Sequence, residues 1–343
     1  MTRAVVCPDK FRGSLSAAAA AAAMAEGLRR GGVDDVISVP LADGGEGTLD
    51  ALLDAVGGSR RTTTVTGPLG DPVEAEWAML RGGVAVVEMA RASGLALVDG
   101  RNDPLRASSR GTGELIAAAA RSGAKRIVVG VGGSASTDGG LGAVDALGWS
   151  LPAIDVTVAC DVTTPFLDAA RVYGPQKGAS SAQIALLGRR LQRLSEQYEA
   201  RTGVDVRAMV GGGAAGGLAG ALGALGAKLE PGFDVVAGAA GLGDALVDAS
   251  IVVTGEGRLD RTSLEGKVVG GVLEWASEHG VAHRAVISGQ VAADARDDLE
   301  AEKVLVLALS DRVWQASETF TRAALLVEEA ALEAARTFLP AAP

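Results

Sequence analysis

Three short glycine-rich turns in this chain carry carboxylates: Asp43-Gly44-Gly45-Glu46-Gly47-Thr48, Gly132-Gly133-Ser134-Ala135-Ser136-Thr137-Asp138-Gly139-Gly140 and Gly255-Glu256-Gly257-Arg258-Leu259-Asp260. Glycine lets a backbone approach an anion closely, and an acid beside it can hold Mg2+ or accept a proton. Repeated along one chain, that pairing points to chemistry on a phosphate–metal complex. None of the three follows the GxxxxGK[ST] lysine-loop pattern.

Each turn has a chemical reading and a plainer one. Asp43 and Glu46 can present oxygens to Mg2+; the plainer role, a helix-capping turn, needs only one acid. Gly132, Gly133, Ser134, Ser136, Thr137 and Asp138 offer N–H groups and hydroxyls just before a helix, where an anion is favoured. The alternative there is an ordinary βα loop. In the third turn Asp260 can accept a proton from a substrate hydroxyl, and Arg258 or Lys267 can offset phosphate charge, against the alternative of a salt-bridged surface loop. Asp9, Lys10, Arg12 and Ser14 follow the first strand directly, and a small carboxylate-bearing substrate suits Lys10 and Arg12. Glu88 and Arg91 end a strand run within reach of a ligand. Gly174-Pro175-Gln176-Lys177-Gly178 reads as a turn with an exposed lysine. The two histidines, His279 and His283, read as structural, which excludes His-based triads and multi-His metal sites.

The elements that must position these residues alternate strand and helix. Ala4–Cys7 reads as a buried strand, 14–30 as an alanine-rich helix capped by Ser14 or Ser16, and Val36–Val39 as the next strand, followed by a helix through Ala55. This βαβα order marks a parallel sheet. The pattern then changes to closely spaced strands at 61–66, 73–80 and 84–89, joined by turn sequences such as Gly67-Pro68-Leu69-Gly70-Asp71-Pro72. That is an antiparallel meander and the start of another domain. Helices are expected at 113–122, after Asp138 and at 182–199, with strands at 126–131 and 155–160. The βα alternation returns with strands at 251–254, 284–288 and 304–309 and helices at 267–279 and 320–337. Two N-terminal strands and three C-terminal ones complete a five-stranded doubly wound sheet. The expected division is residues 1–60 plus 240–343 for one α/β domain and 61–239 for a second, inserted one. Ligands of open parallel sheets bind outside the carboxyl ends of strands, so the acidic turns should gather there, facing a cleft between domains.

Composition bounds the rest. At 343 residues, 48% of them hydrophobic but only 3% aromatic, the chain suits two aliphatic cores. A net charge of −10 argues against nucleic-acid binding, yet leaves room for a small anionic substrate in a locally basic pocket. Cys7 and Cys160 sit in apolar, strand-like contexts and read as buried reduced thiols. The uncharged stretch 208–227 is rich in Gly and Ala, and reads as a buried loop and helix rather than a membrane span. The expected location is the cytoplasm.

In series, these motifs resemble the bacterial glycerate kinase family. Pro8-Asp9, Phe11 and Gly13-Ser14-Leu15-Ser16 match, as do Ala42 to Thr48, Gly132 to Ala135 and Thr137 to Gly140. Ala159-Cys160-Asp161-Val162, Gly174 to Gly178, Gly212 to Gly217 and Thr254 to Asp260 continue the family's order over nearly the whole chain. The segments 149–155 and 163–172 look shortened, and Lys10 and Arg12 stand where the family more often has Ser and Lys. The resemblance implies a flavodoxin-like doubly wound parallel sheet with an inserted, restriction-endonuclease-like mixed-sheet domain. It also implies ATP-dependent phosphorylation of D-glycerate, usually at the 2-hydroxyl. On this footing Mg2+·ATP is expected on Gly132, Gly133, Ser134, Ser136, Thr137, Asp138 and Gly255, with Asp43, Glu46 or Asp161 near the metal. Lys10, Arg12, Ser14, Glu88, Arg91 and Arg258 are the expected glycerate contacts, and Asp9, Lys10, Asp260 and Lys267 the catalytic groups. Another small hydroxy acid, the 3-hydroxyl of glycerate, a non-catalytic sensor of a nucleotide or sugar acid, and a homodimeric assembly stay open.

Overall fold

The computed structural model describes residues 2–315 and 317–339, so residues 1, 316 and 340–343 of the expected division lie outside the described residues. Strands run in chain order as β1 (Arg3–Val6), β2 (Asp35–Ser38), β3 (Gly58–Thr66), β4 (Pro72–Leu80), β5 (Val84–Glu88), β6 (Arg126–Gly130), β7 (Asp155–Ala159), β8 (Lys228–Glu230), β9 (Ile251–Leu259), β10 (His283–Val291) and β11 (Leu305–Ala308). They form two sheets in two compact α/β bodies. One body takes residues up to 43, 50–56 and from 236 onward; the other takes 44–49 and 57–235.

The first body holds a five-stranded sheet in the order β11-β10-β9-β1-β2, with every pair parallel. Relabelled along the chain this is the 2-1-3-4-5 order of flavodoxin-like folds, with its switch point between β1 and β9. Parallel strands buried on both faces need near-continuous apolar sequence, as Ala4-Val5-Val6 and Ile251-Val252-Val253 supply. Helices Ala17–Arg30 and Ala323–Phe338 cover one face, against Val6, Val253 and Ile287. Helices Val268–Glu278 and Ala293–Ala301 cover the other, against Val286 and Val306. Ser16 caps the first helix by accepting from Ala19 N at 3.1 Å. Small residues let that helix lie close to its neighbour: a Cβ on Gly27 would stand 2.2 Å from the Glu328 carbonyl oxygen.

The second body holds a six-stranded mixed sheet, β3 to β8 in sequence order. β3, β4 and β5 form the antiparallel meander, and β5 to β8 are parallel. Helix Arg110–Arg121 packs Leu115, Ile116 and Ala119 against Trp77, Val87 and Ile127. Beyond the sheet lies a further layer, in which Leu187, Leu191, Leu194 and Tyr198 of helix Ser181–Thr202 surround Phe166. The stretch from Ala214 to Ala224 is a buried helix with a kink at Ala215, Gly216 and Gly217. Among the described residues no helix is long and apolar enough to cross a membrane. Both cysteines are free; Cys7 is buried and Cys160 partly so.

Candidate active site

The first body gathers charged groups at its switch point. Asp9 follows β1, and its backbone N–H donates to the Gly255 carbonyl of β9 at 2.9 Å, which sets Asp9 beside Glu256. The carboxylate accepts from Lys10 N at 2.7 Å. Burial and the nearby Asp43 lift Asp9 to about 6, against the pull of Lys10 and Lys267. Burial likewise lifts Glu256 to about 7; the Ser263 hydroxyl and Lys267 oppose the shift, while Asp9 and Asp260 add to it. Among the described residues Glu256 Oε1 is buried with no hydrogen-bond partner. Two acids poised near neutrality beside a lysine are suited to proton transfer from a hydroxyl.

Asp260 sits differently. Its Oδ1 accepts from Thr262 N at 2.9 Å and from the Thr262 hydroxyl at 2.6 Å, and these bonds hold it below the usual carboxylate range. It is a weaker base than its two neighbours. Arg258 and Arg12 are exposed. The turn from Phe11 to Leu15 lies against Gly257, where an added Cβ would stand 2.9 Å from Arg12 N. Ser14 donates within that turn to the Phe11 carbonyl at 3.1 Å. Glu256, which the sequence places in an acidic glycine turn directly after a strand, carries no assigned role among the sequence-based site residues.

In the second body the turn 44–48 lies across the carboxyl ends of β6 and β7. Gly44, at φ 84°, would bring a Cβ within 2.9 Å of both Ala159 Cβ and Gly232 Cα. A left-handed conformation with that close approach admits only glycine. Glu88, 3% exposed, accepts from Gly47 N and Leu49 N, both at 2.9 Å, and so serves the start of helix Thr48–Val56. Its other oxygen meets Arg91 Nε at 2.8 Å, and Arg91 Nη1 reaches Glu76 at 2.6 Å. These engagements are internal to the body. Asp161 Oδ1 accepts from Gly232 N at 2.6 Å, and Glu46 is exposed on the turn.

The loop after β6 has two parts. Gly132, Gly133 and Ser134 retain exposure, whereas Ser136 and Thr137 are buried. Asp138 Oδ2 accepts from Ser109 N at 2.8 Å, the Ser109 hydroxyl at 2.9 Å and Gly142 N at 3.2 Å, while Oδ1 accepts from Gly140 N at 3.1 Å. Asp138 therefore ties together the starts of helices Arg110–Arg121 and Leu141–Ala146. A cavity of about 380 Å³ adjoins the loop, lined by Thr137, Asp138, Leu187, Leu191, Arg190 and Arg193 among others. Lys177 departs from the sequence expectation. It is 2% exposed, because Gly174–Gly178 folds under this loop instead of projecting to solvent.

His279 Nδ1 lies 2.8 Å from the Trp275 carbonyl and His283 stacks on Phe338, both structural roles. Among the described residues no cluster of three or more His, Cys, Asp or Glu forms a cage for a metal. Mg2+ on a nucleotide asks for less, since one or two carboxylates plus phosphate oxygens and waters suffice. The oxygen donors Asp43, Glu46 and Asp161 are of the type it takes.

A profile of the glycerate kinase family matches residues 4–153 and 150–339. The two stretches overlap at residues 150–153, within the segment 149–155 that reads as shortened. The chain is 42% identical to the glycerate 2-kinase of Escherichia coli (strain K12) over 86% of each chain. It is 37% identical to a glycerate kinase of Halalkalibacterium halodurans over 96% of this chain and 97% of the relative. The crystal structure described as glycerate kinase 2 from Salmonella typhimurium LT2 superposes with a TM-score of 0.84 at 34% identity, covering 98% of both chains. A flavodoxin-like domain carrying near-neutral acids at its switch point, joined to a mixed-sheet domain with this ancestry, defines a two-domain α/β kinase. More narrowly, the chain belongs to the glycerate kinase family.

Proposed function

We propose that this kinase transfers the terminal phosphoryl group of ATP to the 2-hydroxyl of D-glycerate, in the cytoplasm. The observation that carries the reading is the pair Asp9 and Glu256, lifted to about 6 and about 7 beside Lys267 at the switch point. The 42% identity to the glycerate 2-kinase of Escherichia coli supports the 2-position. Asp9 accepts the hydroxyl proton as the oxygen attacks phosphorus, and Glu256 holds the site's charge balance as that proton arrives. Lys10, Arg12 and Arg258 receive the glycerate carboxylate, and Lys267 offsets charge on the transferring group. Asp260 orients the turn that carries Lys267. The exposed N–H groups of Gly132, Gly133 and Ser134 bind phosphate oxygens, and the adjoining cavity is of a size for the nucleoside. Asp43, Glu46 or Asp161 would hold Mg2+, which supplies positive charge on the phosphates. In phosphoryl transfer such positioning and charge stabilisation provide most of the rate.

A coupled ADP-release assay across D-glycerate, tartronate and related hydroxy acids tests this, with NMR of the product to fix the position. Turnover led by D-glycerate with 2-phosphoglycerate as product is the expected result. Faster turnover of another acid, or formation of 3-phosphoglycerate, overturns the substrate or the position. Absence of turnover with every acid overturns the activity.

A further inference from the structure

Beneath the loop that follows β6 lies a polar cluster whose hydrogen-bonding capacity is only partly used. Asn102 Nδ2 donates to the Ala135 carbonyl at 3.1 Å and to the Lys177 carbonyl at 2.9 Å. Lys177 Nζ donates to the next carbonyl along, that of Ser136. Two consecutive loop carbonyls are thus held by side-chain donors. In a trans peptide the N–H points opposite to the C=O, so the N–H groups of Ser136 and Thr137 face away from those donors. Among the described residues neither N–H donates to a backbone carbonyl, and the hydroxyls of Ser136 and Thr137 are buried without a partner. Ser136 is 0% and Thr137 1% exposed. Buried donors left unpaired are costly and therefore rare in folded proteins.

Lys177 adds to the same imbalance. Among the described residues no carboxylate forms an ion pair with this buried lysine. The charges and rings that face it are Asp138 of the loop, which acts on it through its charge, and the Tyr173 ring 5.9 Å away. A buried cation without a counter-ion is strongly disfavoured unless something compensates it. Free N–H groups, free hydroxyls and an uncompensated ammonium all ask for the same partner, an anionic oxygen.

We propose that Lys177 is the positioning cation of the phosphate loop. Held on the Ser136 carbonyl, it fixes the Ala135–Thr137 peptides so that their N–H groups receive a phosphate oxygen, and its charge favours that phosphate. The proposal rests on the reading of this loop as the nucleotide's phosphate site.

Binding of ADP and of adenosine is measured by calorimetry on the wild-type chain, Lys177→Met, Lys177→Arg and the loop double variant Ser136→Ala/Thr137→Val, with thermal melts as the fold control. Lys177→Met should weaken ADP by about 10–100-fold, the worth of a charge-assisted hydrogen bond, and leave adenosine unchanged. Its melting temperature should stay near that of the wild type, because removing a buried charge offsets the loss of the Ser136 carbonyl's donor. Burial lowers Lys177 to about 8 against the pull of Asp138, so wild-type affinity for ADP should fall as pH rises above 8 while adenosine affinity stays level. Lys177→Arg should restore most of the affinity and lose that alkaline limb. If the loop variant weakens ADP but Lys177→Met does not, or if Lys177→Met loses stability and both ligands together, the role of Lys177 is overturned and the loop reading stands. If the loop variant binds ADP as the wild type does, the loop reading itself fails. Should Lys177→Arg not fold, a level pH dependence of wild-type ADP binding still overturns the proposal.

Discussion

Replacing Asp9 by Asn should make the protein more stable and far less active. The lift of Asp9 from 3.8 to about 6 is about two pK units, so holding it ionised in the fold costs up to about 3 kcal/mol. The folded state binds this proton more tightly than the unfolded chain does. Stability is therefore lost as pH rises from about 4 to about 6, and the full cost is present at pH 8. Asn keeps an oxygen for the Lys10 N–H bond of 2.7 Å and carries no charge against Asp43. At pH 8, Asp9→Asn should gain about 1–3 kcal/mol, a rise of roughly 2–10 °C in melting temperature for a domain of this size. At pH 4 the wild-type carboxyl is itself protonated and the gain should vanish. Loss of a general base should cut kcat by about 10²–10⁴-fold. Melts at both pH values and the coupled ADP-release assay read the two effects. A variant less stable than wild type at pH 8, or one that keeps more than a tenth of wild-type turnover, refutes the reasoning.

Wild-type kcat/KM should rise through an acidic limb near the values of Asp9 and Glu256, about 6 and about 7, and Glu256→Gln should move the limb to lower pH; an unmoved limb in a pH–rate profile removes Glu256 from the coupled pair. Glu88→Ala strips the buried acceptor from two N–H groups and from Arg91, and should cost about 3–5 kcal/mol in urea unfolding, whereas a change within 0.5 kcal/mol would show that its network carries no stability. Gly216→Ala places a Cβ 2.2 Å from the Ser136 carbonyl oxygen at φ 69°. It should lower the melting temperature and weaken ADP binding together, and a silent variant by both measures would refute close packing under the loop. Asp260→Asn keeps the cap's oxygen but not its charge, and should lower kcat less than Asp9→Asn does, as read in the same coupled assay.

Much of the architecture was legible along the chain because it depends on local pattern. Runs such as Ala4-Val5-Val6 and Ile251-Val252-Val253, short, β-branched and bounded by turn residues, read as strands buried on both faces, and the Gly67-to-Pro72 turn makes the meander antiparallel. Less legible were helix starts such as Arg110, which the remote Asp138 organises through Ser109. The short β8 and helices Gly232–Ala240 and Ala293–Ala301 carried too little pattern to be singled out.

The sequence by itself determined which side chains stand at strand ends, since a strand followed by glycine and an acid puts that acid at the carboxyl edge of a parallel sheet. Tertiary structure alone decided what each acid or lysine became. Glu88 and Asp138 are drawn inward by N–H groups from distant segments, Asp260 is spent on its own turn, and Lys177 lies under a loop instead of in water. Asp9 and Glu256 carry the same chemistry as the other carboxylates, yet packing strips them of water and lifts them toward neutrality. The physical reason is that residue type fixes charge and reach, while desolvation and partners come from segments far apart in the chain.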